Sequence, residues 1–201
     1  MKKLITFILI QVFISGLLLN AQKITLQKGS FGFIKDQKSL LATFDYSNMS
    51  VGKFEKEDDY IADKMAAYNK DEPGKGERWL TAWKGDRASR YEPKFEQLFN
   101  QYGSKIGLSA SRTASDAQYE INIHTEFTES GFNVYLMRQP AFINVIVTFK
   151  NISSGEEVAV LKVVKCPGRD VMGFDYDTGV RIEEAYAKLG KAVAGYILKQ
   201  K

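Results

Sequence analysis

The chain has 201 residues, with 28 Lys and Arg against 24 Asp and Glu, for a formal net charge of +4. A balance this even, with no Lys/Arg stripe interleaved with aromatic residues, excludes a dedicated nucleic-acid binder. A single cysteine, Cys166, excludes an internal disulfide, so stability has to come from packing, for which 13 Phe and 10 Tyr supply the material.

The first predicted element is a leader. Met1-Lys2-Lys3 is a short positive segment, and Leu4 to Leu19 is apolar apart from Thr6, Gln11, Ser15 and Gly16. Leu19-Asn20-Ala21 then offers a processing site, which is the order of a secretory signal peptide. The rival reading is an uncleaved membrane anchor, but the run is shorter than the ~20 apolar residues a span needs. No Cys follows it, so a lipoprotein anchor is not expected. Residues 1–21 are therefore predicted to be removed, leaving 22–201 as a single domain of about 180 residues carrying about +2. That domain is expected in the periplasm or outside the cell, with no stable membrane insertion after cleavage.

Strands come next. Ile24-Thr25-Leu26 is a short candidate. Phe31-Gly32-Phe33-Ile34 and Leu40 to Tyr46 are predicted to pair as a hairpin across Lys35 to Lys38. Leu40, Ala42, Phe44 and Tyr46 share one face by period-two alternation.

A helical block follows. Tyr60/Ile61, Met65 and Tyr68 fall at helical spacing, and Asp71 to Gly76 breaks the run at Pro73-Gly74. Trp79, Leu80 and Trp83 make a second short face. Phe95, Leu98, Phe99 and Tyr102 follow i, i+3, i+4, i+7, with Pro93 in the first turn and Gly103 at the end. The acidic run Glu55 to Asp59 reads as a solvated helix start that suits the dipole.

The last block returns to strands and closes with a helix. Ala117, Tyr119, Ile121, Ile123, Thr125 and Phe127 alternate with Gln118, Glu120, Asn122, His124 and Glu126. Phe142 to Phe149 is a second strand, Asn151 to Gly155 a turn, and Val158 to Lys165 a third, mostly apolar and so expected to be central. Ile182, Ala185, Tyr186, Leu189, Val193, Tyr196 and Ile197 form the stripe of a C-terminal helix, with Lys199 and Lys201 at its end.

This order predicts an α+β fold: a mixed, mostly antiparallel sheet with helices packed on one face. Over residues 39–199 it resembles the compact strand–helix–three-strand–helix module of bacterial envelope proteins, such as the N-terminal domain of TolB and curli-secretion lipoproteins. The chain as a whole also looks like the many exported bacterial proteins of unknown function. The resemblance lies in element order, and no motif residue matches, so it transfers no site.

Most chemical motifs fail on spacing. His124, flanked by Glu120 and Glu126, lacks the further ligands of a zinc site and reads as a polar residue on a solvated face. A Cys166–His124 thiol dyad is disfavoured, because the expected register puts the two about 13 Å apart along the strands. Neither a Gly-x-Ser-x-Gly elbow nor a phosphate loop is present. Asp175-Tyr176-Asp177-Thr178-Gly179 resembles the start of a calcium loop but lacks the later ligands, and Asp177 or Thr178 serves more simply as a helix N-cap. No cofactor or metal is implied.

Topology gathers what remains. The loops 128–140 and 166–178 belong to one end of the sheet, and a strand ending at Tyr46, if parallel to 117–127, arrives there too. Asp45, Tyr46, Tyr135, Arg138, Arg169, Asp170, Asp175 and Tyr176 are the candidate binding residues, in the position beyond strand ends where ligands often sit. Two functions compete. One is a binding module without catalysis, gripping an envelope or extracellular protein or a saccharide with the aromatic loop Gly131 to Met137, unless that loop simply pairs as strand. The other is a hydrolase using Asp175 with Asp45 or Asp170 as acid and base. The leader itself gives the first prediction: N-terminal sequencing of the exported chain should read from Gln22, and a start at Met1 in the membrane fraction would show an anchor instead.

Overall fold

The computed structural model describes residues 22–134, 137–168 and 177–200. Its main sheet has seven strands. They are β1 (Lys23–Gly29), β2 (Ser39–Asp45), β3 (Ser50–Val51), β4 (Ser109–Ser111), β5 (Tyr119–Glu129), β8 (Phe142–Asn151) and β9 (Glu157–Pro167). The small strands β6 (Phe132–Val134) and β7 (Met137–Gln139) pair as a separate hairpin between β5 and β8. The main order is β1-β9-β8-β5-β2-β4, with β3 beside the far end of β5. The β5–β8, β8–β9 and β1–β9 pairs are antiparallel, whereas β2 runs parallel to both β4 and β5. Such a parallel pair needs a long crossover, and the crossover is helical: α1 (Glu57–Asp71), α2 (Lys75–Asp86) and α3 (Glu92–Gly103). The final helix is α4 (Thr178–Leu198). The fold is the α+β arrangement expected from the element order.

The core forms because the sheet is amphipathic. Leu40 and Ala42 of β2, Ile121 and Ile123 of β5, Val145, Val147 and Phe149 of β8, and Leu161 and Val163 of β9 are all buried. They face Phe95 and Phe99 of α3 and Ile182, Leu189 and Val193 of α4, which are buried in the same cluster. The two helices come close at Gly190, where a Cβ would stand 2.4 Å from the Phe95 carbonyl oxygen and 2.9 Å from the Phe99 nitrogen. Phe44 adds an edge-to-face ring contact with Phe95 at 5.6 Å.

The other sheet face is polar. Thr43 Oγ1 donates to Glu120 at 2.5 Å, and Asn122 Nδ2 donates to Thr43 Oγ1 at 2.9 Å. Lys162 lies 3.4 Å from Glu126 and His124 Nδ1 2.8 Å from Asp45. These residues are half-buried, as side chains on a solvated sheet face should be.

Four sequence expectations need correction. Phe31 to Ile34 is not a strand and forms no hairpin with β2: Gly32–Asp36 is a 3-10 helix, and β2 pairs with β4 and β5 instead. Phe31 and Phe33 are used as plugs against Phe149, at ring distances of 5.2 and 5.8 Å. Phe127 does not join the helix face. A bulge between Thr125 and Phe127 inserts one residue, so that Thr128 is buried and Phe127 meets Phe142 at 5.3 Å. β9 is not central but lies one strand in from the edge, between β1 and β8. Finally, the acidic run is not wholly solvated, since Glu57 is only 8% exposed.

The α3–α4 contact sets the fold's second prediction. Phe99→Ala should destabilise by about 3–5 kcal/mol, the cost of emptying a fully buried aromatic site. Gly190→Ala should also lower the melting temperature although it adds one methyl group, because both atoms it meets are backbone. Chemical denaturation of each variant measures both effects, and a Phe99→Ala loss below about 1 kcal/mol would contradict this packing.

Candidate functional site

The end of β2 is shaped by three local devices. Asp45 accepts hydrogen bonds from the Ser47 nitrogen at 2.8 Å and the Ser47 hydroxyl at 3.0 Å, which bends the chain out of the strand. Asn48 then adopts the left-handed region at φ 56°, which Asn tolerates better than most side chains. Met49 turns back into the core, and its carbonyl accepts from the Glu57 nitrogen at 3.0 Å, tying the strand end to the start of α1.

Glu57 is the electrostatic centre. Its carboxylate accepts from Trp83 Nε1 at 2.6 Å, from Lys84 Nζ at 2.7 Å and from the Arg87 guanidinium. Burial alone would raise its pKa, but the bonds from Lys84, Arg87 and Trp83 outweigh that and hold the carboxyl below its ordinary value of 4.5. Arg87 also lies over the Tyr46 ring, 4.3 Å from its centroid. Arg87 opens a π-helical turn, Arg87–Tyr91, between α2 and α3. Such turns add a residue to the helix and recur at functional sites. Here the turn lets Arg87 reach Glu57 and Tyr46 while Tyr91 stacks on Tyr186 at 5.2 Å with rings 4° from parallel. Tyr186 in turn bonds Thr125 Oγ1 at 2.7 Å. The buried Tyr91 hydroxyl has no hydrogen-bond partner among the described residues. Burial pushes the Tyr186 phenol to about 12 and those of Tyr46 and Tyr91 upward as well, so this cluster stays neutral.

Outside this cluster a groove of about 680 Å³ opens between Tyr46–Met49 and Glu55–Asp58, with Lys84 and Arg87 on its wall. Ser47, Asn48, Lys56 and Asp58 are exposed on its rim.

A second charged cluster stands at the start of α4. Asp177 caps the helix, its Oδ1 accepting from the Val180 nitrogen at 3.2 Å, as its position in the sequence suggests. Arg90 bridges Asp177 at 2.8 Å and Asp86 at 3.0 Å. Burial would raise the Asp177 pKa, but Arg90 and the helix N–H groups hold it down, whereas burial prevails at Asp86 and pushes it up. Arg181, in the first turn, is 4% exposed and donates to the carbonyls of Ser130 and Gly131 at 3.1 and 3.3 Å, fixing the helix to the base of the β6–β7 hairpin.

The predicted site residues divide accordingly. Asp45 and Tyr46 both stand at the end of β2, but on opposite faces. Asp45 meets His124 on the polar face, and Tyr46 packs into the core under Arg87. Arg138 lies in β7 opposite Asn133, with its side chain outside the described atoms. Tyr135, Arg169, Asp170, Asp175 and Tyr176 lie outside the described residues. Phe132–Val134 and Met137–Gln139 pair as strands, the alternative expected for the Gly131–Met137 loop, with Phe132 remaining 40% exposed. Cys166 is buried on the helix face and donates to the Ala185 carbonyl at 3.2 Å, and burial pushes its thiol to about 12. It is paired opposite Ile143 and His124 opposite Ile146, on different faces, so they make no dyad. Among the described residues no three His, Cys, Asp or Glu side chains are grouped to hold a metal ion. Sequence reading missed Glu57, Lys84, Arg87 and Arg90. Trp83, Lys84 and Arg87 recur at i, i+1 and i+4, a spacing that puts all three within reach of one partner.

Comparison with known proteins adds little to this geometry. No family model matches the chain, and no curated protein matches it. Among solved structures, the PelC dodecamer from Paraburkholderia phytofirmans is 11% identical with a TM-score of 0.35, covering 85% of this chain and 98% of that one. A Xanthomonas campestris protein of a family of unknown function is 12% identical with a TM-score of 0.35, covering 81% and 84%. Likeness at this level assigns neither ligand nor residue, and none of these comparisons shows the kinship with TolB or curli-secretion modules. Among the described residues no helix is long and apolar enough to cross a membrane.

Glu57 supplies the third prediction. Removing one member of a buried, hydrogen-bonded ion cluster leaves its partners uncompensated, so Glu57→Ala should cost about 3–5 kcal/mol at neutral pH. Because the folded-state pKa is depressed, the carboxylate's contribution is fully present above 4.5 and is lost as pH falls through the lower folded value. Melting curves of both proteins between about pH 6 and pH 3 should therefore converge toward the acid end.

Proposed function

We propose that this chain is an exported binding module without catalysis, working in the periplasm or outside the cell. It engages an envelope or extracellular protein, or a saccharide, through the groove at the end of β2. The observation that supports this reading is the state of two acids near the end of β2, Glu57 in the groove wall and Asp45 on the opposite sheet face. Asp45 is held below the usual carboxylate range: burial acts to raise it, but Ser47 and His124 outweigh that. Glu57 is likewise held down and is spent on three internal donors. A general acid needs the opposite, a carboxyl raised toward neutral pH. What the groove offers instead is a preformed concavity with exposed polar side chains on its rim, suited to holding a ligand.

The hydrolase reading keeps one observation in its favour. Asp86 and Asp177 flank Arg90 with pKa values pushed apart, the division of labour an acid and a base require. Asp175, with Asp45 or Asp170, was the pair expected from sequence, and it belongs to this alternative.

The test combines capture and turnover. Lys56→Ala changes only an exposed groove residue and should leave stability within about 0.5 kcal/mol, whereas Ser47→Arg also removes the hydroxyl bond to Asp45 and should cost about 0.5–1.5 kcal/mol. Both should nonetheless reduce recovery of the partner captured by the wild-type chain from a periplasmic extract. Hydrolysis of glycan or peptide substrates that is abolished by Asp86→Asn, with folding retained, would replace the binding reading with the enzymatic one.

A further inference from the structure

A second groove lies on the other side of α4, away from Tyr46. It has a volume of about 610 Å³ and runs between α4, Tyr102 at the end of α3, and Gln22 and Ile24 at the start of β1. Its chemistry is one-sided. Lys188, Lys191 and Lys199 line it, and among the described residues no Asp or Glu does.

Helical geometry explains the arrangement. At 100° per residue, positions 188, 192, 195 and 199 fall within a narrow stripe, with 191 beside it. Ala192 and Gly195 therefore form a low floor between lysines at its two ends, about 16 Å apart along the axis. Tyr102 and Tyr196 flank that floor. Lys191 lies 5.1 Å from the Tyr102 ring centroid.

The cations are poorly compensated. Lys188 donates to the Gly168 carbonyl at 2.8 Å and lies 3.9 Å from Glu184, which leaves donor capacity unused. Lys191 and Lys199 make no ion pair among the described residues. Among the described residues the groove thus presents three ammonium groups and no acidic acceptor.

We infer that this groove binds an acidic saccharide, its carboxylates taken by Lys191 and Lys199 and its ring faces resting on the Ala192–Gly195 floor. A phosphodiester chain is less well matched, because among the described residues no arginine fork lines the groove for bidentate contact. Lysine is a point charge on a flexible stem and suits single carboxylates displayed at intervals. The inference draws on the reading of the chain as a binding module, but not on the Tyr46 groove. Lys191 and Lys199 are far from the residues altered in the capture test, so the two can fail separately.

The experiment is a calorimetric titration of the exported protein with oligogalacturonate. Uncharged dextran oligomers of matched length and poly-glutamate serve as comparison ligands. Oligogalacturonate should bind best, and added salt should weaken it. The Lys191→Gln/Lys199→Gln double variant should lose about tenfold or more in affinity, with an unchanged melting curve, whereas Ser47→Arg should bind as wild type does. Equal binding of dextran would overturn the role of charge, and equal binding of poly-glutamate would overturn the saccharide. Undiminished affinity in the double variant would overturn the site.

Discussion

A carboxylate taken out of water must be matched by donors, and Glu57 is matched by three. That single requirement organises a large part of the molecule. It joins the start of α1 to the end of α2 and selects the π-helical turn that brings Arg87 inward. It also places Arg87 over Tyr46, the residue with which the chain leaves β2. The same turn aims Tyr91 at Tyr186 and Arg90 at the α4 cap, so the helical crossover and the final helix are locked to each other through one irregular turn. The groove beside Tyr46 is the outer surface of this network.

Regular periodicity was readable wherever it ran unbroken. The alternation in β5 and β8, the i, i+3, i+4, i+7 face of α3 and the long stripe of α4 each state a period and a buried side. The parallel placement of β2 beside β5 entered only as a condition, since a long crossover permits a parallel pair without dictating it. Two irregularities that periodicity could not show share a physical origin, an inserted residue. One extra residue near Glu126 exchanges Phe127 for Thr128 on the helix face, and the π turn breaks the helical period between Trp83 and Phe95. Neither has a composition cue, since both are solved by tertiary packing. Phe31 to Ile34 failed differently: four apolar residues state no period, and the 3-10 helix uses them as plugs.

The candidate site was less legible than the fold. The residues chosen by topology did include Tyr46, because a strand end can be located from sequence. The partners that give Tyr46 its surroundings come from positions 57, 84 and 87, and only the folded helices bring them there. An acidic run at a helix start ordinarily faces water, and nothing in Glu55 to Asp59 marks the middle residue as the buried one. Asp177 was readable as a cap because capping is local, needing only the residues that follow it.

The pairing of β1 with β9 has a kinetic meaning. Lys23 lies opposite Val164, so the sheet's outermost strand closes a loop nearly as long as the domain. Contacts of such large sequence separation are reached late, because loop-closure entropy must be met before they contribute. Until the C-terminal third of the chain is present, the first strand has no partner, and the apolar side of Ile24 and Leu26 stays uncovered. A polypeptide wired this way remains unfinished throughout its synthesis and acquires its complete edge only after the last strand has emerged.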